Sequence, residues 1–510
     1  MLAFSSACHG GELGGNYDLR CLRSSDCRAD SDPLDLDADV APDGANGQHA
    51  GDGGEPPDGD TPDRGDGDGD AMNSGALPDA GDNAAGDAGK DAGDELPYVW
   101  PELPDGGLLE SLIEYVAPRV VFVDQTPRIR VFGTLLLSGD GFPVYVDDKI
   151  QGAFKAIDDS EGWFQLSSKL AEGEHFVQVG ARAGAQRPGA RLVAAKRMQY
   201  ENADVTITQP PRSLVYAPEH RAFFFVFYTD ATDYVLARLR FDGVRWRYDE
   251  LDVPKPISIA VAADGRELLV LNANAAILHV DPAAFTLTST ELISSTSIYG
   301  TSFGEIYALA DGQVLLRDRD ALREYPSLDA MQVIYASTPT GYLSQDQTRL
   351  LWADSDQQSN AGKVYSYEAG ASHAFTQARF LGGANNGVSI SGDGRRASQA
   401  GDIYDGDLNY EAALAGAGST GSVVLSGNGQ IALGYNWSQK ALQTYDLSGS
   451  VHPFPALGQP LQLFKDNNGN LLQMMLDENG STAFLFSYHY TTVGPSQTDF
   501  YFQVRKLPAP

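Results

Sequence analysis

Cysteine is almost missing from this chain: Cys8, Cys21 and Cys27 are the three among 510 residues, and all precede residue 30. Everything after them is free of thiols, which excludes thiolate metal sites and cysteine nucleophiles there. Basic residues are scarce as well. Lys and Arg number 36 against 69 Asp and Glu, for a formal net charge of −33. With no basic stripe to replace the counterions of a polyphosphate, nucleic acid is excluded as a partner. No run of about 18 apolar residues occurs, so no membrane-spanning helix is expected. Histidine is thin too: His220, His279, His373, His452 and His489 fall after residue 205 with no paired spacing.

What is present is unevenly spread. Between Asp30 and Glu95 there are 20 acids against Arg64 and Lys90, so just over half of the net charge sits in about an eighth of the chain. This stretch, for example "DGDTPDRGDGDGDAMNSG", consists of Asp, Gly, Ala and Pro with almost no aromatics. It cannot bury enough apolar surface to offset its ordering entropy, and residues 9–96 are expected to form a disordered linker. About 65 such residues span roughly 45 Å as a flexible coil, and self-repulsion extends them further. The remainder is only mildly acidic, and an apolar fraction of 42% is enough to fill cores. At roughly 100–200 residues per domain, two to four domains are expected.

The first residues, "MLAFSSACHGG", resemble the end of a bacterial lipoprotein signal peptide, in which small residues precede an acylated cysteine. Ser6-Ala7-Cys8 carries the likeness, and Ser5 stands where such leaders usually have Leu. The resemblance implies that residues 1–8 are a leader remnant, that Cys8 is lipidated, and that translation starts upstream. A long acidic linker after the cysteine is common in such proteins. His9 is not the Asp that favours inner-membrane retention, so the implied location is the cell envelope, anchored to the outer membrane on its periplasmic or surface face. In that exported setting Cys21 and Cys27 ("CLRSSDC") can close a small disulfide loop.

From 97 to 205 short apolar stretches recur between turn residues: "RVVFV", "RIRVFGTLLL", "PVYVDD", "GAFKAI", "GWFQLSS", "EHFVQVGAR" and "RLVAAKRMQY". About seven strands in roughly 100 residues predict a β-sandwich. "RVFGTLLLSGDGFPVYVDDKI" and "LAEGEHFVQV" (Leu170–Val179) resemble the IPT/TIG group of immunoglobulin-like domains, although the usual Ser-Gly-Gly loop is absent. The resemblance implies a spacer or adhesive support. Its histidine, His175, is expected to pack or face solvent.

From 206 to 510 a weak repeat appears. In "ISIAVAADGRELLVLNANAAILHVDPAAF" (257–285) an apolar strand meets a turn at Asp264-Gly265, and two further strands follow. The same grammar recurs at Glu219-His220, Phe303-Gly304, Asp346-Gln347, Asp393-Gly394, Asn428-Gly429 and Asn468-Gly469, about 42 residues apart, the length of a four-stranded propeller blade. The repeat resembles YVTN-type and WD-repeat-like propellers, without the Gly-His and Trp-Asp pairs of true WD repeats. Seven stations imply seven blades, with "DVTITQPPRSLVY" supplying a strand that closes the last one. In that arrangement Leu269 and Leu278 are buried and Asp264-Gly265 is an exposed turn.

No motif names a reaction. Ser391-Gly392-Asp393-Gly394 and Ser344-Gln345-Asp346 approach a sialidase-type Asp box but lack its Thr-Trp ending, and Asp and Gly are good turn formers. "GVSIS" (Gly387–Ser391) lacks the last glycine of a nucleophile elbow. "GAGSTG" (Gly416–Gly421) matches a dinucleotide fingerprint in letters, but a strand pattern follows instead of the helix whose N-terminus would hold phosphate. Calcium was the one cofactor to weigh. Asp66, Asp68 and Asp70 meet Ala71 and Leu77 where Gly and Glu are needed, and Asp405, Asp407 and Asn409 lack the same two residues. Aromatic runs such as "FFFVFY" fit strand packing better than sugar stacking.

The expectation is therefore all-β: an Ig-like sandwich plus a seven-bladed propeller behind a disordered acidic linker. No catalytic, cofactor or metal residue is assigned. The function expected is a lipid-anchored, monomeric binding or adhesion protein whose propeller presents a face to an extracellular protein or polysaccharide. The alternatives are a propeller hydrolase or lyase acting on a glycan or lactone, and a periplasmic assembly factor.

Overall fold

The computed structural model describes residues 112–507, apart from 135–140, 159, 181–188, 229–233, 294–302, 319–320, 334–339, 355–360, 371–379, 383–387, 417–419, 465–468 and 492–496. Cys8, Cys21, Cys27, the acidic linker and Asp66 to Asp70 lie outside the described residues. The fold is all-β, and among the described residues Pro218–His220 forms a 3-10 turn.

Nine strands come first: β1 (Leu112–Ala117), β2 (Val120–Phe122), β3 (Arg128–Thr134), β4 (Pro143–Val146), β5 (Lys149–Ala153), β6 (Lys155–Ala156), β7 (Glu161–Gln165), β8 (Gly173–Val179) and β9 (Ala190–Ala195). They form two sheets, ordered β1-β3-β7-β6 and β2-β9-β8-β4-β5. Alternating burial along β9 shows why: Ala190, Leu192 and Ala194 point inward and their neighbours outward, as the two-residue period of a strand demands. The sequence pattern anticipated most of these strands but missed β1 and read "GAFKAI" as one strand. In the structure that stretch changes sheets at the fully buried Phe154, β5 joining one sheet and β6 the other.

Seven four-stranded antiparallel sheets follow. Sheet 1 holds β11 (Ser213–Ala217), β12 (Ala222–Tyr228), β13 (Tyr234–Phe241) and β14 (Trp246–Leu251). Sheet 2 holds β15 (Pro256–Val261), β16 (Leu268–Asn272), β17 (Ala276–Asp281) and β18 (Thr286–Leu292). Sheet 3 holds β19 (Glu305–Ala308), β20 (Val314–Arg317), β21 (Ala321–Tyr325) and β22 (Ala330–Val333). Sheet 4 holds β23 (Thr340–Leu343), β24 (Arg349–Asp354), β25 (Ala361–Glu368) and β26 (Phe380–Gly382). Sheet 5 holds β27 (Val388–Ile390), β28 (Arg396–Gln399), β29 (Asp402–Asp405) and β30 (Tyr410–Ala413). Sheet 6 holds β31 (Thr420–Leu425), β32 (Ile431–Asn436), β33 (Ala441–Asp446) and β34 (Ala456–Gln462).

Sheet 7 is assembled from both ends of this region. β35 (Gly469–Leu476), β36 (Thr482–Thr491) and β37 (Gln497–Lys506) are completed by β10 (Ala203–Ile207), which pairs with β37 in the register Ala203↔Val504 to Ile207↔Phe500. The expected closing strand is therefore present. The boundary drawn at 205/206 is corrected, because it cuts through β10, whose pairing with β37 begins at Ala203.

Each sheet packs on the next, because both faces are apolar. On β12, Phe224 and Val226 join Ile259, Val261 and Leu268 of sheet 2, while Phe223, Phe225 and Phe227 join Phe484, Phe486 and Phe502 of sheet 7. The run "FFFVFY" is thus the centre of a doubly buried strand. Equivalent clusters join sheets 2 and 3 around Leu271 and Ile306, and sheets 3 and 4 around Leu315 and Trp352. Leu351 and Ala397 join sheets 4 and 5, Ile403 and Leu425 join sheets 5 and 6, and Leu433 and Leu485 join sheets 6 and 7.

Leu269 and Leu278 are buried as expected. The turn at Asp264-Gly265 is not exposed: Gly265 is buried and Asp264 half-buried. The reason is that Arg191 of β9 donates to the Asp264 carbonyl at 2.8 Å and His220 lies 3.1 Å from the Gly265 carbonyl. Two stations also move. Phe303-Gly304 precedes β19, and the turn between β19 and β20 is Asp311-Gly312. Asn468 lies outside the described residues and Gly469 begins β35, while the turn between β35 and β36 contains Asn479-Gly480. Both stretches offered two turn-forming pairs within a dozen residues, and the pattern alone selected the wrong one.

Candidate functional site

The turns joining the first and second strands of sheets 4, 5 and 6 share one construction. Ser391 Oγ donates to Asp393 Oδ1 at 2.7 Å and accepts from the Arg396 amide at 3.0 Å, while the Arg395 amide donates to Asp393 Oδ1 at 3.1 Å. Ser344 with Asp346, and Ser426 with Asn428, repeat these bonds. Side chains of this kind hold a backbone turn in place of water. The stretches resembling an Asp box are therefore structural turns.

Successive turns also bond to one another. The Asp346 amide donates to the Gly392 carbonyl at 2.8 Å, that of Asp393 to Gly427 at 2.8 Å, and that of Asn428 to Glu478 at 3.0 Å. The approach is close enough that a Cβ on Gly427 would come within 1.9 Å of Glu478 Oε2. The residue closing each turn is left-handed, and in sheets 2, 3, 5, 6 and 7 it is glycine. Sheets 1 and 4 depart, with Arg221 at φ 51° in sheet 1 and Gln347 at φ 62° in sheet 4. The Gln347 side chain has a use for the position, since Nε2 donates to the Val261 carbonyl at 2.6 Å and Oε1 accepts from Arg119 Nη1. Arg119, in the short link between β1 and β2, also places Nε 2.9 Å from Glu219 Oε1 and is 6% exposed.

Arg119 lines two spaces. One is a cavity of ≈ 360 Å³ walled by β11, β15, β19, β23, β27, β31 and β35, the first strand of every sheet. The other is a wider cleft of ≈ 1190 Å³ between the nine-strand region and the turns of sheets 4 to 7. The cleft is polar. Arg130 pairs with Glu161 at 2.5 Å and Glu368 at 2.7 Å, and Arg349 reaches Glu368 and Asp407 at 3.3 and 3.4 Å. Trp163 is covered by Arg128 at 3.7 Å from its ring centre, so it offers little open platform. Burial raises the Glu478 carboxyl to about 7, with Arg197 opposing and Asp393 and Asp346 adding to the rise. Burial also raises Asp346, against the hydrogen bonds of its own turn.

The sequence-derived candidates lie apart. His175 contacts Asp147 at 2.5 Å, His279 bridges Glu267 and Glu291 at 2.8 and 3.5 Å, and His452 packs on Phe454. His220 and His489 lie on other sheets, and His373 and Gly387 lie outside the described residues. Gly416 is in a turn, and β31 begins at Thr420, within "GAGSTG". Asp405 accepts the amides of Asp407 and Asn409 at 3.0 and 2.8 Å, a turn of the Asx type. Among the described residues no group of three or more His, Cys, Asp and Glu side chains is placed to hold a metal. No helix among them is long and apolar enough to cross a membrane.

The sequence did not single out Arg119, Gln347, Glu305 or Glu478. Only Gln347 left a sign, as a glutamine where the neighbouring stations carry glycine.

No family model matches the chain, and no curated protein does either. Among solved structures it is similar to Kuenenia stuttgartiensis hydrazine synthase, with 14% identity over 59% of this chain and 97% of that one, at a TM-score of 0.37. A likeness at this level carries no argument about activity.

Proposed function

We propose that the chain is an envelope-anchored binding lipoprotein whose ligand is a polysaccharide held in the cleft. In this account sheets 1 to 7 are the blades of a closed propeller. The nine preceding strands are an Ig-like support of the IPT/TIG kind, and Cys8 carries the lipid at the far end of the acidic linker. The strand pairing of β10 with β37 and the packing of each sheet on the next support the ring. Ser6-Ala7-Cys8 and the composition of the linker support the anchor.

The observation that carries the reading is the character of the cleft. It is an open space in which apolar residues such as Phe122 and Ile157 alternate with amides, carboxylates and guanidinium groups, among them Gln345, Asn428, Gln430, Asp407 and Arg395. Such groups suit a ligand dense in hydroxyls, where each donor and acceptor needs a partner. An enzymatic reading asks for two carboxylates free to act as acid and base. Asp346, Asp393 and Asp405 are instead engaged by their own turns, and Glu161, Glu368 and Asp407 by Arg130 and Arg349, while Glu478 is the cleft carboxyl raised to about 7.

Native electrophoresis through gels containing dextran, alginate or chitosan tests this. At least one polymer should retard the full chain, and Gln430→Ala with Asp407→Ala should lose the retardation while keeping Tm. Free migration in all three, or retardation unchanged in the double variant, overturns the cleft as the site. Fatty-acid labelling that is unchanged by Cys8→Ala overturns the anchor.

A further inference from the structure

The central cavity is chemically unlike the cleft. Its walls are mostly apolar, with Leu214, Ile259, Ile306, Tyr342, Val424 and Met475 among them. At ≈ 360 Å³ it is the size of a small-molecule site. Into this apolar wall β19 brings one carboxylate, Glu305, which is 3% exposed. One oxygen, Oε2, takes the Tyr307 hydroxyl and lies 2.9 Å from Arg317 Nε. The other, Oε1, is buried and has no hydrogen-bond partner.

A buried acceptor left unmade costs on the order of 1–3 kcal/mol, more for a charged group, so a carboxylate oxygen in this state is a poor structural element and a good receptor. The seryl hydroxyls nearby do not reach it. Ser213 Oγ accepts the Ile259 amide and Ser258 Oγ accepts the Ile306 amide, both at 3.2 Å, so these serines stitch sheet to sheet. Burial raises the Glu305 carboxyl against Arg317, Tyr307 and Arg212, so the groups already present do not offset the cost of burying its charge, and a cationic donor at Oε1 would favour the ionised form. One carboxylate with no second acidic ligand is a poor cage for a metal ion. It is well suited to a single N–H donor bearing positive charge on an apolar body.

We infer that the cavity walled by the seven first strands is a binding site for a small organic ammonium ion, which donates to Glu305 Oε1 while its apolar part lies against Ile259, Ile306 and Val424. The cavity adjoins the cleft at Arg119, Gln345, Gly392 and Gly427, but Glu305 lines the cavity alone, so the inference does not rest on polysaccharide binding.

The probes are 2-phenylethylammonium and its neutral counterpart 2-phenylethanol, titrated calorimetrically into the full chain. The ammonium should bind at least tenfold more tightly than the alcohol. Glu305→Gln, which keeps the shape of the side chain, should remove that preference, and Val424→Trp should fill the cavity and abolish binding of both probes at unchanged Tm. Equal affinity for the two probes, or no binding of the ammonium, overturns the inference. Should Glu305→Gln fail to fold, the comparison of the two probes on the unaltered chain decides the matter alone.

Discussion

Gln347 and Glu478 show what single residues do at the ring of turns. Gln347 accepts a left-handed backbone that glycine takes in five of the other sheets, and in return its amide holds both Arg119 and the Val261 carbonyl. Glu478 has the opposite character: burial, with Asp393 and Asp346 nearby, holds its pKa at about 7 against an ordinary 4.5. The folded protein therefore binds a proton between those values that the unfolded chain does not. Stability from this group is full below about pH 4.5 and is lost as the pH rises through 7. Glu478→Gln should raise Tm at pH 8 and flatten the pH dependence between 5 and 7. Discounted for partial exposure, the gain is about 1 kcal/mol. Thermal melts at pH 5 and pH 8 check this, and an equal Tm difference at both pH values would show that Glu478 is not protonated in the fold. None of this was legible in the sequence, because burial of "DENG" depends on which turn packs beside it.

Elements were far easier to read. A strand flanked by two sheets must be apolar on both faces, and "ISIAV", "LLVLN" and "FFFVFY" announce that directly. Where the sequence misled, two turn pairs stood close together, as at Gly304 and Gly312, or a strand changed sheets at a buried aromatic, as at Phe154. Sheet 2 provides a paired prediction. Leu269 is 7% exposed and packs with Leu271, Ile277 and Ile306, so Leu269→Ala should cost roughly 2–5 kcal/mol. Asp264, half-buried, accepts one bond from the Arg266 amide at 2.9 Å through its side chain, and its carbonyl contact with Arg191 survives truncation, so Asp264→Ala should cost about 1 kcal/mol or less. Urea titrations of the two variants check the order, and a larger loss in Asp264→Ala would mean that the turn rather than the strand anchors this sheet.

The whole molecule depends on a contact that spans the chain. A sheet apolar on both faces is stable only between neighbours, so the first and last sheets each need a partner, and each is the other's. β10 joins the two ends by main-chain pairing, with Asp204 opposite Gln503, and Asp204 also bonds to the Gln503 amide and Arg505 at 2.9 and 2.6 Å. The sequence offered the strand "DVTIT" but no means of selecting its partner nearly 300 residues away. Since the chain has no cysteine after Cys27, introduced thiols report cleanly on this pairing. The decisive measurement is oxidation of a variant with Asp204→Cys and Gln503→Cys. The closed arrangement predicts a rapid, near-complete intramolecular disulfide at low protein concentration, and a rise in stability of about 3–5 kcal/mol from the long loop it closes. Thiols that stay free, or that form only intermolecular bridges, would contradict closure.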